Sequence, residues 1–356
     1  MGEDVGWNKS QYRRFLRVPL WSLLPLLTLA LAVEIVISTG AGYIEISPVD
    51  VARIIAAHLT GADGPVAQLD KVASVVVTEV RLPRILTSVI VGAGLAVSGA
   101  VFQGILLNPL ADPYTLGVSA GAAFGASLAL WLNLALFGLW SVPLFAFAGA
   151  VVTLMAVIWL AAGSGDLSSG SLILAGIIVA AILSAGVSFL KYMADEQVGV
   201  IIFWLMGSFA SKTWQEVFIA AVAVGVGVAV CLFFSRDLNL LALGHRTAGS
   251  LGVAPRKVSM VLLVCTSLMA AVCVAVSGII GFVGLLVPHM VRFVTGPDNR
   301  RLIPASALAG AALLLLGDTV TRAVLPQEIP IGVITALIGG PVFCYIYRRR
   351  HMRRLI

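Results

Sequence analysis

Along the chain, apolar runs of about twenty residues alternate with short polar or Gly/Pro-rich breaks. A bilayer core about 30 Å thick needs about 20 apolar residues per helix, so each run predicts one membrane span. Ten such runs occur: Val18–Ile37, Ile85–Leu107, Leu116–Leu136, Val142–Ala162, Ser171–Phe189, Val217–Phe234, Val258–Val276, Ile279–Val294, Ile303–Thr319 and Ile329–Tyr347. The seventh and eighth are parted only by Ser277-Gly278, and their joint length exceeds one crossing, so the pattern predicts a break there. Val198–Phe209 is apolar but too short to cross. It predicts a short outer helix or re-entrant piece, which is tolerated at membrane depth only where protein buries it or where it lines a cavity. The fold class expected is an all-α membrane protein of about ten transmembrane helices.

Composition excludes a soluble fold. The chain is 60% hydrophobic and 11% charged, against roughly 25% charged in an ordinary soluble domain. Between Arg84 and Asp166 the only charged residue is Asp112. The net charge of +6 sits at the ends of apolar runs, which is a topology signal rather than a nucleic-acid footprint. With the N-terminus in the cytoplasm, 16 of the 23 Lys and Arg fall on the inner side, including Arg13, Arg236, Arg292, Arg300 and Arg348, and 7 fall outside, among them Arg53, Arg81, Arg84 and Arg322. The bias predicts both termini inside and an even number of crossings. The domain organisation expected is an inner segment 1–17, one membrane domain 18–347 and a basic inner tail 348–356. Within the domain lie a long outer loop 40–84, the short outer helix 198–209 and an inner loop 236–257. Val18–Ile37 is too long for the apolar region of a cleavable leader and reads as a retained first helix.

The chemistry expected is sparse. Cys231, Cys265, Cys273 and Cys344 lie in apolar runs without a CxxC and read as small hydrophobes. There is no Gly-rich loop ending in Lys-Ser/Thr, no HExxH and no Ser/His/Asp arrangement, so neither a catalytic residue nor a metal site is assigned. Charges near the spans are few: Glu34, Asp112, Asp318 and Arg322. The four-residue spacing of Asp318 and Arg322 predicts an ion pair on one helix face. An ion-coupled carrier usually places a carboxylate or histidine at mid-membrane, and none is clearly there, so the driving force is expected from a partner. The alternative is a secondary transporter acting alone, with Glu34 and Asp318 as its essential carboxylates; a non-transporting scaffold is the other rival. Gly117-x-x-x-Gly121-x-x-x-Gly125 places three glycines on one face and predicts close helix packing, inside the subunit or at a dimer seam. Ala96-Val97-Ser98-Gly99 with Pro109 is echoed by Ala275-Val276-Ser277-Gly278 with Pro288 at an offset of 179, a trace of internal repetition.

Several ordered motifs go beyond these patterns. Arg81-Leu82-Pro83-Arg84 precedes Gly92-Ala93-Gly94 and Ser98-Gly99-Ala100-Val101-Phe102-Gln103-Gly104. The turn Asn108-Pro109-Leu110-Ala111-Asp112-Pro113 follows. The second half carries Gly281-Phe282-Val283-Gly284-Leu285-Leu286-Val287-Pro288-His289-Met290-Val291-Arg292, then Ile329-Pro330-Ile331-Gly332 and Gly340-Pro341-Val342-Phe343. In this order the motifs closely resemble the FecCD-type permeases for iron-siderophore, haem and vitamin B12 uptake, the membrane subunits of type II ABC importers, from about Arg81 to Arg348.

The resemblance implies ten helices per subunit and a homodimer in the bacterial cytoplasmic membrane. Two ATP-binding subunits, which hold the ATP and magnesium, would dock inside and a substrate-binding protein outside. This chain would hold no cofactor and do no hydrolysis. Leu243, Gly244, His245, Ala248, Leu251, Gly252 and Val253 look like the family's ATPase-coupling segment, except that the family commonly has an acid where His245 stands. Ser168 and Ser169 fall at the inner gate, and Phe203, Trp204 and Met206 at the outer mouth. Arg322, and more loosely Arg53, match positions that dock the binding protein. Gln103, Asn108, Pro109, Asp112, Pro113, Pro288, His289 and Arg292 carry the structural motif.

Overall fold

The computed structural model describes residues 20–42, 46–60, 71–162, 168–323 and 327–352. The expected inner segment 1–17, part of the outer loop, most of the 163–170 junction and the last residues of the tail lie outside them. In chain order the helices are α1 (Leu20–Gly40), α2 (Pro48–Thr60), α3 (Lys71–Val75), α4 (Leu82–Ile105), α5 (Val118–Trp131), α6 (Ser141–Ala162) and α7 (Ser169–Met193). They continue with α8 (Val198–Leu205), α9 (Trp214–Phe233), α10 (Ser235–Leu241), α11 (His245–Ser250), α12 (Pro255–Ser277), α13 (Val283–Thr295), α14 (Asn299–Ala323) and α15 (Ile331–Met352). Each of the ten apolar runs coincides with one of these helices. Among the described residues, seven helical stretches are long and apolar enough to cross a membrane, and three apolar ones, in α5, α13 and α15, are shorter.

Two predicted spans are helical over less than their length. α5 has 14 residues and α13 has 13, about 20 Å each at 1.5 Å per residue, well short of the bilayer core. The remaining depth is covered by non-helical backbone, at 132–137 after α5 and at 278–282 before α13. Such backbone survives in an apolar medium only when its polar groups find partners. They do so here: Tyr114 Oη donates to the Ile280 carbonyl at 2.9 Å. Gly278 N donates to the Val274 carbonyl at 2.8 Å and, after α5, Leu134 N donates to the Ala129 carbonyl at 2.9 Å and Phe137 N to Ser141 Oγ at 3.0 Å.

α4 is the centre of the bundle, packed on α14, α12, α9 and α13, while α5 packs on α6 and α7. With no hydrophobic drive between helices in lipid, close backbone approach and interhelical hydrogen bonds carry association. At Gly99 an added Cβ would lie 1.8 Å from the Gly284 carbonyl oxygen, and at Gly92 one would lie 2.3 Å from that of Gly310. Any larger residue at either position forces α4 away from α13 or α14. Gly121 and Gly125 are likewise pressed against α6, so this glycine face is spent within the subunit.

α4 begins unusually. Val76–Arg81 forms one π-helical stretch that runs from α3 into α4, with Leu82 N bonding back to the Val77 carbonyl. In that register the next carbonyl, Thr78, faces Pro83, which has no N–H to give. The indole N–H of Trp214, at the start of α9, supplies the bond at 3.1 Å.

Candidate functional site

A second proline explains the paired motifs. Pro288 lies inside α13, so the Gly284 carbonyl one turn earlier has no helical donor. Gln103 of α4 fills that gap: its Nε2 lies 3.5 Å from Gly284 O and 3.2 Å from Leu285 O. Its Oε1 accepts from Arg292 Nη2 at 3.2 Å, across 189 residues of sequence. Gly99, Gln103, Gly284, Pro288 and Arg292 thus form one contact between α4 and α13. His289 is buried in the same place, with its ring edge-on to Phe293 at 5.3 Å.

The 106–117 turn is built by local chemistry. Asn108 Oδ1 accepts from Leu110 N at 3.0 Å. Asp112 Oδ1 accepts from Thr115 N and Oγ1, and Thr115 Oγ1 closes a capping box over Pro113–Leu116. Burial pushes the Asp112 carboxyl up, against the lowering effect of those Thr115 bonds. This turn holds the end of α4 against the start of α5 and leaves Leu107, Pro109 and Leu110 exposed.

The expected coupling segment is a short helix between two glycine joints. Gly244 and Gly252 both have positive φ, +98° and +87°, a region glycine enters without steric cost. Between them α11 rests on the bundle through buried Ala248, and Val253 N closes the segment by bonding to the Ala248 carbonyl. Leu243 and Leu251 are 60% and 56% exposed, and His245 is exposed beside them. The segment therefore offers two leucines on a hinged projection, with one apolar anchor behind them.

The predicted Asp318–Arg322 pair does not form. Asp318, 1% exposed, is bound by Arg84, whose Nε and Nη2 reach its carboxylate at 2.9–3.1 Å. Arg84 also reaches Glu328 at 3.0 Å. Arg322 turns instead to the end of α1, where Nη2 donates to Ser38 O at 2.7 Å and Nη1 donates to Ala41 O. Arg81 Nη1 covers Thr39 O and Gly40 O at 2.7 and 3.1 Å. The last carbonyls of a helix have no partners within it, and two guanidinium groups cap four of them here. The physical reason for the correction is rotational: α14 packs on both α1 and α4, and each side chain goes to the helix its own face meets. The arginines of Arg81-Leu82-Pro83-Arg84 were visible in the sequence only as a motif. Two basic residues beside a proline at a helix start were the available signal.

The other expected positions are separate from these. Arg53 is a surface residue of α2, paired with Asp50 at 3.3 Å and 61% exposed. Ser168 caps α7 by accepting from Ser171 N, and Ser169 begins that helix. Phe203 is exposed in α8, Trp204 is half-buried, and Met206 follows with its carbonyl tied to α15. Among the described residues no group of three or more His, Cys, Asp or Glu is placed to hold a metal.

Comparison with known proteins fits this architecture. The FecCD transport family matches residues 30–349. The cobalamin import system permease BtuC of Halobacterium salinarum is 44% identical over 284 residues, 80% of this chain and 76% of the relative. The molybdate import system permease MolB of Haemophilus influenzae is 40% identical over 320 residues, 89% and 92% of the two chains. A solved inward-facing structure, described as a metal-chelate type ABC transporter, superposes with a TM-score of 0.79 at 39% identity, over 92% of this chain and 99% of that one. With its helical bundle, its α4–α13 motif contact and a match over most of its length, the chain belongs to the FecCD transport family, as a multi-pass permease component of an ABC importer and not an enzyme.

Proposed function

We propose that the chain moves an iron chelate (siderophore or haem) or cobalamin across the bacterial cytoplasmic membrane, as a homodimer driven by two ATPase subunits that hold the ATP and magnesium. The observation that carries this reading is α11. A six-residue helix on two glycine joints, with Leu243 and Leu251 presented to solvent, is suited to sit in a groove of a motor subunit and pass its movement to α10 and α12. His245 stands on the same surface, where the family's acid would face the motor. Ser168 and Ser169, small hydroxyls at the start of α7, act at the inner gate, and Phe203, Trp204 and Met206 act at the outer mouth. The binding protein docks outside through Arg322, whose guanidinium also holds the end of α1, and more loosely through Arg53. Both termini lie inside, as the lysine and arginine bias requires.

The cargo reading leans on the cobalamin relative and the metal-chelate structure; the molybdate relative supplies a second reading, an oxyanion. Purified permease, reconstituted in vesicles with its co-purifying ATPase and binding protein, separates them. Uptake of haem, a ferric siderophore, cobalamin or molybdate is followed by absorbance or isotope. The expected result is ATP-dependent uptake of a chelate or corrinoid, reduced at least tenfold in Leu243→Ala/Leu251→Ala. Uphill uptake without ATP would establish the ion-driven alternative instead, and molybdate uptake alone would transfer the chain to the oxyanion reading.

A further inference from the structure

The four cysteines, alike in sequence as small hydrophobes, stand in different places in the bundle. Cys273 of α12 is buried, its Sγ 2.8 Å from a Cβ built on Gly94 of α4, and Cys344 of α15 is exposed. Cys231 of α9 and Cys265 of α12 meet. α9 and α12 pack directly on one another, and Gly227 sets how closely: a Cβ built there would lie 2.6 Å from Met269 Sδ. One turn from Met269, the Cys265 thiol donates to the Gly227 carbonyl at 4.0 Å. In an α-helix that carbonyl also accepts from the N–H four residues on, which belongs to Cys231. The Cys265 sulfur therefore lies at the root of the Cys231 side chain, and the Cys231 thiol hydrogen-bonds to it. Cys231 is fully buried, while Cys265 is partly exposed.

We propose that Cys231 and Cys265 are a redox-modifiable pair, which hydrogen peroxide converts to a disulfide that staples α9 to α12. Cys265 is the sulfur an oxidant reaches, and Cys231 is the resolving thiol behind it. Cys265 attacks one peroxide oxygen and the O–O bond breaks. The hydroxide released takes the thiol proton and leaves as water, with Cys265 now a sulfenic acid. The Cys231 sulfur then attacks the Cys265 sulfur: the S–S bond forms, the S–O bond breaks, and the departing hydroxide takes the Cys231 proton as a second water. The two thiols lose two electrons together, and the peroxide gains them. The pair lies about 15 Å along α12 from its start, a depth that a small uncharged oxidant enters. The bridge closes a loop over residues 232–264, which holds α10 and α11, and so fixes the two spans from which α11 hangs. Its effect on coupling rests on the proposed contact of α11 with a motor subunit; the bridge itself does not.

The test uses the full-length permease in mild detergent, reduced, freed of reductant and treated with hydrogen peroxide. Peptide mapping by mass spectrometry without reductant is expected to find the Cys231 and Cys265 peptides joined, at least tenfold more abundantly than any joined pair that includes Cys273 or Cys344. The link is lost on adding dithiothreitol and in Cys265→Ser, and it persists in Cys273→Ser/Cys344→Ser. Closing a loop of this length restricts the unfolded chain, so the oxidised parent is expected to melt about 5 °C higher than the reduced one, with no such rise in Cys265→Ser. The map of the parent decides the matter even if a serine variant folds poorly. Both thiols unchanged, Cys265 carried on to sulfinic acid without a link to Cys231, or a link chiefly to Cys344 overturns the proposal. A complete link with an unchanged melting temperature overturns the staple.

Discussion

Replacing Asp318 with Asn tests the outer arginine cluster directly. The substitution keeps size and shape but removes the one buried carboxylate that Arg84 reaches among the described residues: the two side chains are 2% and 11% exposed and 2.9 Å apart. Two more guanidinium groups stand close by, since Arg81 and Arg322 both come within about 3 Å of a Cβ built on Gly42. Removing one partner of a buried ion pair costs about 3–5 kcal/mol, because the other charge is left in a poor solvent. Glu328 offsets little of this, being 54% exposed, and pairs at that exposure contribute roughly 0–1 kcal/mol. The net expectation is about 3 kcal/mol. With an unfolding entropy of about 2.1 cal/mol/K per residue over the chain, this lowers the melting temperature by about 4 °C. Thermal denaturation in detergent, followed by size-exclusion fluorescence without any binding protein present, reads that shift. The double variant Arg84→Met/Asp318→Leu removes both charges and should recover most of the loss, as apolar replacement of a buried pair usually does. An unchanged melting temperature in Asp318→Asn, or a double variant no better than the single one, would refute the assignment of Asp318 as the counter-ion of Arg84.

Three further outcomes follow from other contacts. Gly99→Val places a side chain where the Gly284 carbonyl already lies and should sharply reduce folded protein in membranes, whereas Gly225→Ala, with nothing within 4 Å, should express as the parent does. Gln103→Leu removes the amide that serves Gly284, Leu285 and Arg292; leaving buried polar groups unmatched costs about 1–3 kcal/mol, read as a lower melting temperature. Trp214→Phe deletes the donor to the Thr78 carbonyl and should cost about 1 kcal/mol, with faster amide exchange confined to the π-helical stretch before α4.

The motif residues of the α4–α13 contact were legible in sequence as motifs, but their purpose was not. Gln103, Pro288 and Arg292 are ordinary residue types in three different places. Only when α13 lies along α4 does the missing N–H of Pro288 become the vacancy that Gln103 fills. The coupling segment was more readable, because Gly244 and Gly252 set its joints through local backbone geometry. The Asp318–Arg322 expectation failed for the opposite reason: spacing states that two side chains share a helix face, not which neighbour that face meets.

What the sequence determined by itself was the series of apolar runs, their order, and the interruption after Ser277. These follow from bilayer thickness and the rise of a helix, both properties of a short stretch of chain. Tertiary structure alone decided how much of the eighth run is helical, since α13 begins only after a stretch whose Ile280 carbonyl is satisfied by Tyr114, far away in sequence. It also decided that Arg84, 234 residues from Asp318, would be its partner, while Arg322 capped α1. In lipid, apolar faces pack on one another without strong preference, so the rotation of each helix is set by glycine contacts and a few polar bonds between residues far apart in sequence, and those exist only once the bundle has formed.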